Sequence, residues 1–130
     1  MNVKDLIYKD NFSHIIFITG GTKSGKSEFA EYLARNAKNL SYVALSENKL
    51  EDKEWQEKIN LHRERRPKHW KLIETTNLLN TLSNQDGPLL IDSIGGYVME
   101  SIEKGNEEWS IKMHSLISIL IQRKSITFIV

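Results

Sequence analysis

Gly20-Gly21-Thr22-Lys23-Ser24-Gly25-Lys26-Ser27 is the stretch that most narrows what this chain can become, because it matches G-x-x-x-x-G-K-[ST]. It follows His14 to Thr19, a β-branched and aromatic run that reads as a strand buried on both faces. After it, Phe29, Leu33 and Ala37 recur at helical spacing, which predicts a helix over Ser27 to Asn36 with Glu28, Glu31 and Arg35 toward water. Strand, glycine turn and helix in this order make an anion cradle. The glycines let the backbone curl so that successive N–H groups point inward, and the helix adds its positive N-terminal end. Lys26 is expected to reach the β- and γ-phosphates of a nucleoside triphosphate, and the Ser27 hydroxyl to ligate Mg²⁺. The competing reading is an ordinary strand-to-helix turn with a solvated lysine. At usual glycine frequencies the spacing alone arises in about 0.4% of chains this long, before the flanks are counted.

The rest of the pattern extends an α/β alternation. Leu40 to Leu45 reads as a strand parallel to the first, and Leu89-Leu90-Ile91-Asp92 after Pro88 as another. Trp55, Ile59 and His62 mark one stripe of a helix over Leu50 to Arg66 that stops before Pro67. A helix over Ser110 to Arg123 and a strand over Ser125 to Val130 close the chain. The implied architecture is a doubly wound, mainly parallel sheet within one domain over residues 1–130, with Met1 to Ser13 as an extension. A net charge of +1 offers no footprint for nucleic acid. The absence of cysteine excludes a disulfide framework and a thiolate metal site, so a reducing, cytoplasmic setting is expected. The apolar runs are far shorter than the ~20 residues a membrane helix needs.

Two further features bear on chemistry. Asp92 ends an apolar strand, where nucleotide-binding α/β proteins hold a carboxylate that helps orient Mg²⁺; the same position also suits an aspartate that starts a turn or caps a helix. His62 continues the Trp55–Ile59 stripe and is followed by Arg63-Glu64-Arg65-Arg66. Spacing leaves it two readings, a packed core imidazole or a nucleophile toward phosphorus with cations nearby. The arginines likewise read either as a solvated helix end or as phosphate contacts.

Taken together, Thr19 to Ser27, Tyr42-Val43-Ala44, the run Lys58 to Trp70 with its H-R-x-R-R-P-x-H-W string, and Glu74 resemble the bifunctional adenosylcobinamide kinase/adenosylcobinamide-phosphate guanylyltransferase family of vitamin B12 assembly. The likeness spans Ile15 to Asp92. It implies a P-loop fold and two reactions on one protein. The first is phosphorylation of the aminopropanol hydroxyl of adenosylcobinamide by ATP or GTP. The second is transfer of GMP from GTP onto that phosphate through a guanylylated histidine. By position in the string, the resemblance makes His62 the nucleophile and Gly20 to Ser27 the triphosphate site. Ala44, Leu45, Ser46, Arg63, Glu64, Arg65, Arg66, Glu74 and Asp92 would complete the nucleotide site, with Mg²⁺ on Ser27 and Asp92. A corrinoid substrate and a homo-oligomer are implied in the same way.

The chain departs from the family pattern in two places. Ser93-Ile94-Gly95-Gly96-Tyr97 follows Asp92 where the family starts a helix, and two glycines at about 1 kcal/mol each argue for a loop. Family members also extend beyond the strand ending at Val130, so the fold is expected to be C-terminally short, leaving Ser125 to Val130 without its usual sheet neighbours. The alternatives that follow are another small-molecule P-loop kinase and a non-catalytic GTP/ATP-binding module.

Overall fold

The structure, a computed structural model, describes residues 15–21, 23–45, 57 and 66–130. Five strands, β1 (Ile15–Phe17), β2 (Ser41–Leu45), β3 (Lys71–Thr75), β4 (Leu89–Asp92) and β5 (Thr127–Ile129), form one sheet in the order β1-β5-β4-β2-β3, with every pairing parallel. Among the described residues four helices accompany it: α1 (Lys26–Ala34), α2 (Leu78–Asn84), α3 (Ile94–Glu103) and α4 (Asn106–Gln122). The expected helix over Leu50 to Arg66 lies outside the described residues except for Glu57 and Arg66, as do Met1 to Ser13.

Side-chain alternation along the strands sorts the core into two layers. Tyr42, Leu90 and Phe128 turn to one face and pack with Ala30, Leu33 and Ala34 of α1. Val43, Leu89, Ile91 and Ile129 turn to the other and meet Leu78 and Leu82 of α2, Tyr97 of α3, and Leu116 and Leu120 of α4. Helices on both faces of a parallel sheet are the doubly wound arrangement that the alternation predicts.

Four expectations need correction. First, α1 is rotated: Glu31 is buried at 6% exposure while Phe29 is 50% exposed. The small residues Ala30 and Ala34 let the helix lie close to the sheet, and that contact outweighs turning Phe29 inward. Second, Ser93 to Tyr97 is not a loop. Ser93 takes a left-handed conformation (φ 68°) and starts α3, which contains Gly95 and Gly96. The glycine cost is offset by burying Tyr97 and Ser101 and by the Ile94 N–H, which donates to the Val130 carbonyl at 2.9 Å. Third, β5 has neighbours on both edges, β1 and β4, and its residues are all buried. Fourth, β3 and α2 occupy Lys71 to Asn84, where the sequence reading assigns no element.

Arg123, just past α4, ties the layers at the end of the sheet remote from the glycine turn. Its Nε donates to Thr127 Oγ1 at 3.1 Å, and its other nitrogens donate to the carbonyls of Leu82, Gln85 and Gly87. Burial holds its pKa below the ordinary value, with Asp86 opposing that shift. Arg123→Ala should cost about 2 kcal/mol, since charge-assisted bonds to several carbonyls vanish together. Urea unfolding should show a lower midpoint at unchanged slope; an unmoved midpoint would count against this role. Lysine should recover little, because one ammonium cannot span the same carbonyls.

Candidate functional site

The loop between β1 and α1 lies at the carboxyl ends of the strands, where parallel α/β sheets place their ligands. Gly25 precedes α1 with φ 87°, a conformation that side-chain-bearing residues resist, and Lys23 also has positive φ (58°). Gly20 serves differently: a Cβ there would meet Ser24 Oγ at 2.7 Å and Lys26 Cγ at 3.2 Å. The lysine stem thus packs over the bare Cα of Gly20. The Lys26 ammonium curls back and donates to the Gly21 carbonyl at 3.0 Å. Gly21, Ser24 and Gly25 are exposed on this loop, and Thr22 lies outside the described residues.

Across the sheet the cradle faces Asp92. The Ser27 hydroxyl, from the first turn of α1, donates to Asp92 Oδ1 at 3.2 Å. Tyr42 of β2 donates its hydroxyl to the other oxygen, Oδ2. Register explains the second contact. Tyr42 pairs with Leu90 and Ala44 with Asp92, so a long aromatic on β2 reaches one pair forward on the same face. Burial first, and then the Asp92 carboxylate, raise the Tyr42 pKa far above the ordinary phenol value, while Arg66 opposes that shift. The phenol is therefore a proton donor to Asp92 at any physiological pH. The Arg66 guanidinium lies 4.0 Å from the Tyr42 ring centroid, a cation–π stack.

Ala44 also pairs with Glu74 on β3, so Asp92, Ala44 and Glu74 form one row across three strands on the α1 face. Leu45 alternates to the opposite layer. Ser46, His62, Arg63, Glu64 and Arg65 lie outside the described residues. The end of the H-R-x-R-R-P-x-H-W string is described: the Trp70 N–H donates to the Pro67 carbonyl at 3.1 Å, and the Trp70 ring is buried in the α1-side core. Its His69 is exposed. Tyr42 is the functional candidate that sequence reasoning missed as a site residue. Its linear signals are a phenol on a largely apolar strand and its place in the Tyr42-Val43-Ala44 run that carries the family likeness.

The donor set suits a hard cation. A hydroxyl and a carboxylate supply oxygens, and among the described residues no group of three or more His, Cys, Asp or Glu could hold a metal alone. Mg²⁺ is commonly bound through one carboxylate with the remaining ligands coming from phosphates and water, so these residues fit it as a nucleotide-borne ion.

The family model for cobinamide kinase / cobinamide phosphate guanyltransferase matches residues 16–130. The chain belongs to that family. Among curated relatives, it is 38% identical to the bifunctional adenosylcobalamin biosynthesis protein CobU of Escherichia coli over 72 residues, which is 55% of this chain and 39% of that protein. The Salmonella typhimurium CobU is 39% identical over 72 residues, with the same coverage. The Pseudomonas aeruginosa bifunctional protein CobP is 43% identical over 58 residues, 44% of this chain and 32% of that protein. The aligned part thus spans about two fifths of the CobU relatives' length. The family match carries beyond Asp92 to Val130 and so takes in α3, α4 and β5. Among the described residues no helix is long and apolar enough to cross a membrane.

Proposed function

We propose that this chain works as its family does, phosphorylating the aminopropanol hydroxyl of adenosylcobinamide and then transferring GMP from GTP to the resulting phosphate through His62. The observation that carries this reading is the meeting of Ser27 and Asp92 beside Lys26, within a chain whose family match runs almost end to end. In the kinase step the substrate hydroxyl attacks the γ-phosphorus, the bond to the β-phosphate oxygen breaks, and a nucleoside diphosphate leaves. In the second reaction a neutral His62 ring nitrogen attacks the α-phosphorus of GTP, forming a P–N bond and releasing pyrophosphate. An oxygen of adenosylcobinamide phosphate then displaces the histidine from that phosphorus.

Lys26 serves both reactions by exchanging the Gly21 carbonyl for β- and γ-phosphate oxygens, and the loop N–H groups hold the same phosphates. Ser27 and Asp92 would hold Mg²⁺, which when bound lowers the charge on the phosphates and eases departure of the leaving group. The family resemblance assigns the remainder of the nucleotide to Ala44, Leu45, Ser46, Arg63, Glu64, Arg65, Arg66 and Glu74. The protein is read as a cytoplasmic enzyme and, by family, as a homo-oligomer.

Incubation with GTP labelled on the α-phosphorus tests the proposal. The expected product is a protein-bound label that acid removes and base does not, as a phosphoramidate requires, and that adenosylcobinamide phosphate discharges. Saturable GTP binding without any adduct would leave a small-molecule kinase or a binding module in its place.

A further inference from the structure

The geometry points to Tyr42 as a positioning residue that holds Asp92 in the orientation needed for the nucleotide-bound cation, an inference that rests on the nucleotide-site reading above. Packing alone does not call for a hydroxyl here. Tyr42 is 2% exposed and lies among Ala30, Leu33, Leu90 and Phe128, surroundings that a phenylalanine would fill equally well. The hydroxyl is directed to one atom, Asp92 Oδ2, while Ser27 occupies Oδ1. Two donors on the two oxygens fix the carboxylate plane against rotation about its last bond. A cation on a lone pair of the Ser27 oxygen leaves the Ser27 O–H free to keep donating to Oδ1, so both hydrogen bonds continue to hold the carboxylate. The ring is braced in turn by the Arg66 guanidinium stacked at 4.0 Å. Its β2 backbone is hydrogen-bonded on both sides, to β3 and β4. A donor on a rigid central strand, bonded to the carboxylate that would hold the cation, is the arrangement by which outer partners tune cation affinity, with effects of about 10- to 100-fold.

The test uses Mn²⁺ as a paramagnetic probe, with GTP, on the whole chain. In the Tyr42→Phe variant, Mn²⁺ affinity in the presence of saturating GTP should fall about tenfold. GTP binding in EDTA should stay within about twofold, because the hydroxyl acts only through Asp92. In an Asp92→Asn background, Tyr42→Phe should change Mn²⁺ affinity no further. Unaltered Mn²⁺ affinity in Tyr42→Phe, or an equal loss with and without Asp92, overturns the role of Tyr42. Wild-type protein that binds neither GTP nor ATP overturns the nucleotide-site reading itself, and this proposal with it. Should Tyr42→Phe not fold, 3-fluorotyrosine placed at position 42 keeps ring and hydroxyl. Its fluorine resonance should move when Mg²⁺ is added to the GTP complex and not when GTP is added in EDTA, and a resonance indifferent to Mg²⁺ overturns the proposal.

Discussion

Replacing Lys26 with alanine is expected to weaken GTP and ATP binding on the order of 100-fold and to remove both transfer reactions. The lysine opens α1 directly after the glycine turn, and its ammonium already sits on the Gly21 carbonyl at 3.0 Å. Contacts from one charged donor to phosphate oxygens are worth about 3 kcal/mol, which is roughly two powers of ten in affinity. Stability should change little, because the bond that alanine removes is on an exposed loop. Arginine should not restore function. The lysine stem packs against Gly20, where even a Cβ would lie 3.2 Å from Lys26 Cγ, and a planar fork needs more room than a compact ammonium. Calorimetry with each nucleotide measures the effect, and unchanged affinities in Lys26→Ala would remove the loop from the site.

His62→Ala should abolish the labelled protein adduct formed from α-labelled GTP, while GTP still binds within a few-fold of the wild-type protein. Alanine offers no nucleophile, so the covalent step has no slower version of itself to fall back on. The triphosphate contacts proposed for Gly20 to Ser27, in contrast, should survive. Three other histidines, His14, His69 and His114, remain in the variant, so a persisting adduct would move the chemistry to one of them. His69 and His114 are both exposed, and neither is aligned with the cradle by any contact among the described residues. Partial loss of label with parallel loss of binding would instead assign His62 to nucleotide contact rather than to covalent chemistry.

Much of this site could be read along the chain because its parts are local. The glycine turn, Lys26 and Ser27 are contiguous, and the apolar runs that became β1, β2, β4 and β5 are short, dense and bounded by breakers. Asp92 could be singled out as the last residue of such a run, yet its meeting with Ser27, 65 residues away, is a product of the parallel sheet. β3 escaped because it is an edge strand, half exposed, with only Leu72 and Ile73 apolar among Lys71 to Thr75. α2 has seven residues, too few for a helical period to declare itself, although Asn77 caps it by accepting from the Asn80 N–H at 3.2 Å. The rotation of α1 was hidden because alanine contributes little to a hydrophobic count but much to how closely a helix can approach a sheet. α3 shows the opposite error. Propensity counted the glycines against a helix, and tertiary burial of Tyr97 prevailed.

Tyr42 marks the limit of linear reading. As part of a Tyr-Val-Ala run it is one more strand residue, and only the offset between β2 and β4 brings its hydroxyl to the carboxylate two positions along. Arg66, the last residue of the arginine segment, stacks on the same tyrosine ring. Ser27, Asp92, Tyr42 and Arg66 thereby form one continuous row of contacts.

The account is tested most directly by a crystal structure of this chain with Mg²⁺ and a non-hydrolysable GTP analogue. It predicts the β- and γ-phosphates enclosed by Gly20 to Ser27, with the Lys26 ammonium moved from the Gly21 carbonyl onto phosphate oxygens and Mg²⁺ beside the Ser27 oxygen and Asp92. A triphosphate bound elsewhere, with Lys26 still on Gly21 and no Mg²⁺ beside Ser27 and Asp92, would contradict it.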